Sequence, residues 1–232
     1  MEKFVRTSFS LSLPKTDLSK YLERQLVTFF PDTNESEAVS CVLSDTLDRL
    51  EHCFRHTRIK GYWDHEGPKF DHLHSDQYAI FLYYLSNTAF KAGFESLAAK
   101  AYGLNKALHG LDAFYEIELP SIFVLIHPVG TVLGRASYRD YFCAYQNVSV
   151  GADPFVPGSP SFGEGVVIYG GGRVVGNVRV GNNSIISLGT SIVARGGKTL
   201  CVPEGHVAFG VSDFSTKPGR HNIKKDIFKN VV

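Results

Sequence analysis

Residues 162–193 read FGEGVVIYGGGRVVGNVRVGNNSIISLGTSIV. Taken six at a time, the stretch stacks Phe162, Ile168, Val174, Val180, Ile186 and Ile192, all large and apolar. Four residues after successive members come Val166, Gly172, Val178, Ser184 and Thr190, each small or valine. A period of six matches neither the helical turn of about 3.6 residues nor the two-residue alternation of a strand. It marks a hexapeptide-repeat β-helix, in which three short strands close one triangular coil. The apolar residue points into the prism and the small one fits beside it. Gly176, Asn177, Gly181, Asn182 and Asn183 allow the turns at the corners. An antiparallel β-sandwich, the competing architecture, has no reason to keep this period.

Upstream, the same step predicts inward positions at Ile126, Val132, Tyr138, Ala144, Val150 and Val156. Gly130, Ala136, Phe142, Val148, Pro154 and Pro160 fall four residues after them. Asp153 to Ser161, rich in Pro, Gly and Ser, reads as a protruding loop. Gly196-Gly197 beside Lys198 reads as a loop leaving the last coil, and the basic stretch Lys217 to Lys229 as a solvated end. Before about residue 110 the pattern is helical. One helix starts near Thr16, after Pro14, and stops at Pro31. A second spans Glu35 to about Thr57, with Val39, Val42, Leu43, Leu47, Leu50 and Phe54 at helical spacing. A loop from Arg58 to Ser75 leads to helices at Gln77–Phe90 and Glu95–His109. The expected organisation is α+β: a helical N-terminal domain (1–110), a β-helix domain (111–200) and a C-terminal tail (201–232).

Composition narrows the function. The 232 residues hold 24 Lys plus Arg against 23 Asp plus Glu, a net charge of +1, which disfavours nucleic acid or an anionic membrane as the main partner. Hydrophobic residues make up 44% and aromatics 12%, enough for a sizeable core. No apolar run is long enough to span a bilayer, and Met1–Val5 lacks a signal-peptide stretch, so a cytoplasmic location is expected. Cys41, Cys53, Cys143 and Cys201 form no CxxC pair, so buried free thiols are expected rather than a zinc site or disulfides. Zinc chemistry on such a β-helix needs about three converging imidazoles, and the repeats supply one, His127; no metal is expected.

The segment Leu125-Ile126-His127-Pro128-Val129-Gly130-Thr131-Val132-Leu133-Gly134 resembles the Leu-Asp-His-Ala-Thr-Gly-x-Val-Ile-Gly stretch of the hexapeptide-repeat acyltransferases, specifically the serine O-acetyltransferase branch. Tyr145-Gln146-Asn147-Val148-Ser149-Val150-Gly151, a loop, and Phe162-Gly163-Glu164-Gly165-Val166-Val167-Ile168 leading to Val174-Val175-Gly176-Asn177 resemble that branch's following segments. So does the aromatic run Phe81-Leu82-Tyr83-Tyr84-Leu85. The resemblance covers roughly residues 71 to 211 and implies a left-handed parallel β-helix, acetyl-CoA as co-substrate, and assembly as a homotrimer or dimer of trimers.

Residue by residue, the resemblance makes His127 the catalytic base. Asp112, fifteen residues earlier, matches the carboxylate that orients it, with Glu116 and Glu118 as substitutes. Asp71 falls where the family's aspartate contacts the acceptor, and His72 and His74 lie beside it. The acyl donor is expected along Tyr169-Gly170-Gly171, Ser187-Leu188-Gly189 and Ala208-Phe209-Gly210, with Lys198 and Lys217 near its phosphates. Two departures bear on the acceptor. Ile126 replaces an aspartate, and Gly158-Ser159-Pro160 replaces an Arg-His-Pro that meets the amino-acid carboxylate. A carboxylate calls for a fixed guanidinium. A neutral hydroxyl, such as that of a sugar or glycan precursor, suits Tyr145, Gln146 and Asn147 better. The chemistry is within reach of these residues, because a histidine near its ordinary pKa can take the hydroxyl proton as the oxygen attacks a thioester. The expected function is acetyl-CoA-dependent O-acetyl transfer to a small hydroxyl acceptor, a sugar ahead of serine in cysteine biosynthesis. A catalytically silent trimeric scaffold is the reading from another class.

Overall fold

The computed structural model describes residues 8–155 and 157–229. After a short strand β1 (Ser10–Leu11), the chain enters helix α1 (Lys15–Phe29) at Pro14, with Leu18, Leu22 and Leu26 buried one turn apart. Helix α2 (Ser36–Arg55) buries Val39, Val42, Leu43, Leu47, Leu50 and Phe54, the stripe expected of it. Strand β2 (Lys69–Phe70) pairs with β1 inside the expected loop. Helix α3 (Ser75–Lys91) is buried on nearly every side, because α2, α4 and the first coil of the β-helix all pack on it. Helix α4 (Glu95–His109) ends on Gly110, at φ 62°.

Next come β3 (Phe123–Leu125), β4 (Val132–Leu133), β5 (Phe142–Ala144), β6 (Ser149–Gly151), β7 (Ser161–Phe162), β8 (Val167–Ile168), β9 (Arg173–Val175), β10 (Val178–Val180), β11 (Ile185–Ile186), β12 (Ser191–Val193), β13 (Leu200–Val202) and β14 (His206–Phe209). They stack in parallel into three faces: β3-β5-β8-β11-β14, β4-β6-β9-β12 and β7-β10-β13. This is a parallel β-helix of about four coils. Phe162, Ile168, Val174, Val180, Ile186 and Ile192 are all inward, none more than 3% exposed. One apolar core runs from α1 to β14, and the phenols of Tyr83 and Tyr84 tie α3 to Ile117 and Ser121, on the approach to β3.

The hexad phase holds from Tyr138 onward but is off by one before it. Leu125 and Leu133 are fully buried, whereas Ile126 lies at the outer surface and Val132 is 41% exposed. The register explains the slip: Leu125 pairs with Ala144, nineteen residues on, whereas Ile168 pairs with Ile186, eighteen on. The corner around His127 holds two extra residues between the buried Leu125 and Leu133, and the next step, Leu133 to Tyr138, is one short, with Leu133 pairing to Val150 seventeen on. Cys143 pairs with Val167, twenty-four residues on, so the Asp153–Ser161 loop adds six residues, one whole repeat, and the phase survives it. Phe155 in that loop is 92% exposed. Val156, expected inward, lies outside the described residues.

Strands continue past residue 200, and the tail is not the solvated end expected. Strand β15 (Ser215–Pro218) pairs antiparallel with β14 and covers its free edge. The chain then runs back along one corner of the β-helix through a short helix, α5 (Ile223–Asp226). Ile223 N–H donates to Asn183 Oδ1 (2.8 Å), Lys224 pairs with Glu164, and the Phe228 ring meets Tyr141. Arg58 N–H donates to Ile227 O (2.8 Å) and Lys229 N–H to His56 O (2.6 Å), closing the strap onto the helical domain. Its apolar residues Ile223, Ile227 and Phe228 seal the outward side of Val124, Cys143, Val167 and Ile185. Burying Phe228 completely is worth about 1.5–3 kcal/mol. Of the four free cysteines, Cys53 and Cys143 are buried and Cys41 and Cys201 exposed.

Candidate active site

His127 sits on the turn from β3 to β4 with φ 49°, the left-handed region that a non-glycine residue enters at a cost of about 1 kcal/mol or more. Backbone bonds hold the turn: Val129 N–H to His127 O (2.7 Å), Thr131 N–H to Pro128 O (3.0 Å) and Gly130 N–H to Gly110 O (3.1 Å). Gly130 has φ 73°, and a Cβ there would run into the Asn147 amide oxygen. The His127 side chain is 77% exposed, and its Nδ1 lies 3.8 Å from Oδ2 of Asp76, whose side chain is 12% exposed in the first turn of α3. Beside Asp76, the Ser75 hydroxyl lies 3.0 Å from His109 Nδ1. Burial pushes His109 below its ordinary value, and the Asp76 charge only partly offsets this. His109 Nε2, His74 Nδ1 and Tyr62 Oη are buried without a hydrogen-bond partner among the described residues.

Asp112, the carboxylate expected at His127, is engaged elsewhere. It accepts from Tyr102 Oη (2.8 Å) and Lys106 Nζ (2.9 Å). Burial raises its carboxyl, but the Lys106 and Tyr102 hydrogen bonds outweigh that and hold it below the ordinary range. The reason is helical geometry: Tyr102 and Lys106 are one turn apart on α4 and face the strand-like backbone at Asp112. Glu118 pairs with Lys91 (2.8 Å) and Glu116 is exposed. Asp71 shapes the approach to α3, accepting from Leu73 N–H (3.0 Å) while its own N–H donates to Gln77 (2.7 Å). His72 Nδ1 meets Ser12 (2.8 Å).

The other expected segments share one corner with His127. Asn147 N–H donates to Val129 O, Gly171 N–H to Gln146 O, and Gly189 N–H to Gly170 O, each at 2.9 Å. Ser187 N–H and Ser191 N–H extend the column to Ala208 O and Gly210 O. Five coil levels from His127 to Gly210, stacked about 4.8 Å apart, make a rail about 19 Å long. Leu188 is 75% exposed on it, and the space above Gly189 is open. Ala208 is fully buried and offers no surface to the rail, and Lys217 Nζ stands 5.6 Å over the Phe209 ring. Tyr145 faces away from the rail: its ring packs on Tyr169 at 4.8 Å on the strap side, where burial pushes its phenol up to about 12. Gln146 Oε1 is buried without a partner among the described residues.

Past the end of the rail is a cavity of about 520 Å³ lined by Ser191, Arg195, Lys198, Ser212, Asp213 and Phe214. Arg195, which lines this cavity, was not singled out from the sequence. It borders the Gly196-Gly197 loop, which adds four residues to its coil, as the register of Val180 with Val202 shows. Among the described residues no group of three or more His, Cys, Asp or Glu is placed to hold a metal ion, and no helix is long and apolar enough to cross a membrane.

A hexapeptide-repeat β-helix behind a helical domain is a fold that this chain shares with the serine acetyltransferases to which it is similar. The particular relatives agree. The chain is 26% identical over 137 residues to a serine acetyltransferase of Mycobacterium tuberculosis, covering 58% of this chain and 57% of that one. It spans about half the length of the curated relatives it matches. The crystal structure of serine acetyltransferase from Vibrio cholerae superposes with TM-score 0.68 at 17% identity, over 90% of this chain and 81% of the other. That of Brucella abortus serine acetyltransferase in complex with coenzyme A gives 0.66 at 18%, over 90% and 84%. At these identities the likeness of structures is one of fold. No protein-family profile matches the sequence.

Proposed function

We propose that the protein is an acetyl-CoA-dependent O-acetyltransferase, assembled as a homotrimer, with His127 as general base. The observation that carries this reading is the single rail of corners that starts at His127 and ends beside the cavity of Arg195 and Lys198. The names of the relatives support it, as does the coenzyme A bound to a protein of the same fold. In the reaction the acceptor oxygen attacks the thioester carbonyl carbon while His127 Nε2 takes the hydroxyl proton. The tetrahedral intermediate then collapses, the C–S bond breaks, and the departing sulfur takes the proton from the imidazolium. The products are an O-acetyl ester and free coenzyme A. Arg195 and Lys198 are the cations for the donor's phosphates. Val129, Leu188 and Val211, 63%, 75% and 70% exposed, form the apolar edge that neighbouring copies would bury.

L-serine now leads as acceptor, because the curated relatives carry that name. One observation favours a sugar hydroxyl as the second reading: no Lys or Arg occurs between Val150 and Phe162, in the loop where a carboxylate-binding arginine would stand. The test is free-thiol release from acetyl-CoA with L-serine and with a panel of sugars and nucleotide-sugars, with His127→Ala as control. Release that falls about 10²- to 10⁴-fold in the variant upholds the base, and the acceptor that supports it names the class. Silence with every acceptor, together with no calorimetric binding of coenzyme A, overturns the reading.

A further inference from the structure

We infer that Asp76, at the start of α3, is the positioning residue for His127, in place of Asp112. The inference deepens the proposed function and rests on it for its catalytic meaning, though not for its geometry. Among the described residues, Asp76 carries the carboxylate within ion-pair distance of the His127 ring, 3.8 Å from Nδ1. Asp112 is held by Tyr102 and Lys106. Each alternative glutamate is also accounted for: Glu118 sits on Lys91 and Glu116 is exposed.

Three features suit Asp76 to the role. It lies in the first turn of a 17-residue helix, where the aligned peptide dipoles favour an anion. It is nearly buried, and α3 is packed on all sides, so its carboxylate has a fixed place. Besides His127, Tyr62 and His109 feel its charge; both are themselves buried, and neither is a cation competing for it at neutral pH. A carboxylate at Nδ1 accepts that nitrogen's proton, so neutral His127 carries hydrogen on Nδ1 and presents the Nε2 lone pair to the open side of the turn. The present 3.8 Å is an ion-pair distance, and contacts of this kind close to hydrogen-bond length when substrate fills a site. The orienting carboxylate therefore comes from the helical domain and the base from the β-helix.

Imidazole-nitrogen NMR of the isotope-labelled full chain tests this without any turnover. The His127 signals are assigned by their loss in His127→Gln. Wild type is expected to show hydrogen on Nδ1 of neutral His127. Asp76→Asn should shift the balance toward hydrogen on Nε2, Asp76→Glu should restore it in part, and Asp112→Asn should leave it as in wild type. Where acetyl transfer is measurable, Asp76→Asn should lower kcat about 10²-fold with KM for acetyl-CoA little changed. Loss of the Nδ1–H form in Asp112→Asn but not in Asp76→Asn overturns the inference, as does a wild type already protonated on Nε2. If wild type transfers acetyl to no acceptor, the functional reading fails, while the nitrogen signals still decide which carboxylate holds the ring.

Discussion

Replacing Lys100 with methionine should destabilise the helical domain by about 3 kcal/mol at neutral pH. The Lys100 side chain is 7% exposed, and its ammonium reaches Asp32 (2.8 Å), Glu35 (3.0 Å), and both the carbonyl (3.0 Å) and hydroxyl (2.6 Å) of Thr33. It thereby pins the connection between α1 and α2 onto α4. Glu35 is 9% exposed, and removing its cation leaves a buried carboxylate, which costs about 3–5 kcal/mol. The low end applies because Ser96 (2.6 Å) and Thr33 (2.9 Å) still donate to Glu35, and the exposed Asp32 adds little. For a chain of this size the loss corresponds to a fall in Tm of about 6–12 °C.

The pH dependence follows from the native carboxyl. Burial raises Glu35, but hydrogen bonds from Ser96, Lys100 and Thr33 outweigh it and hold the group below its ordinary value of 4.5. A lowered native value means stability that is present above pH 4.5 and is lost as pH falls through the native value. The gap between wild type and variant should therefore narrow as pH falls below 4.5, because protonation removes the stranded charge of the variant and then the ion pair of the wild type. Adding Glu35→Gln to Lys100→Met should recover part of the loss at neutral pH, since no charge is then stranded. Thermal scans of wild type and the two variants between neutral pH and pH 3.5 decide it. A neutral-pH cost below about 0.5 kcal/mol, or one that persists unchanged in acid, would refute the reasoning.

Phe228→Ala should open the strap before the rest unfolds: at about 3 kcal/mol, amide exchange at Arg58 and Lys229 should speed up about 10²-fold while that of Val167 stays put. Gly130→Ala should cost about 1–2 kcal/mol in urea unfolding, from its φ of 73° and the displaced Asn147 amide, and a neutral result would show that the turn relaxes freely. Arg195→Ala with Lys198→Ala should raise KM for acetyl-CoA about tenfold or more, leaving kcat and the use of a phosphate-free pantetheine thioester unchanged.

The β-helix was legible because its core repeats: a six-residue period over Phe162–Ile192 needs no tertiary information. The error at Ile126 and Val132 came from the corner around His127, where the buried Leu125 and Leu133 are eight residues apart, and a period search cannot see added residues where the neighbours are also apolar. The helices were legible from stripes such as Val39 to Phe54 on α2, though Ile223, Ile227 and Phe228 were passed over because lysines surround them. At the site, the glycine-rich corners lay on one line because equal spacing puts equal positions above one another. Asp76 was out of reach: it is 51 residues from His127, on a different element, and only the packing of α3 against the first coil brings the two together. Asp112 stood at a suggestive spacing, but sequence distance says nothing about Lys106 competing for its carboxylate.

A stack of coils is close to a one-dimensional system, in which each layer touches only the next and the far end frays first. The strap changes that dimensionality. By touching Asn183, Glu164 and Tyr141 in turn and ending on His56 and Arg58, it couples the last layers directly to the first. The nearest-neighbour chain becomes a closed ring, and fraying from the C-terminal end must first break contacts at the helical end. Loss of structure should then be all-or-none rather than layer by layer. The cavity at Arg195 and Lys198, which would otherwise lie in the most loosely held coil, becomes as persistent as the turn that carries His127.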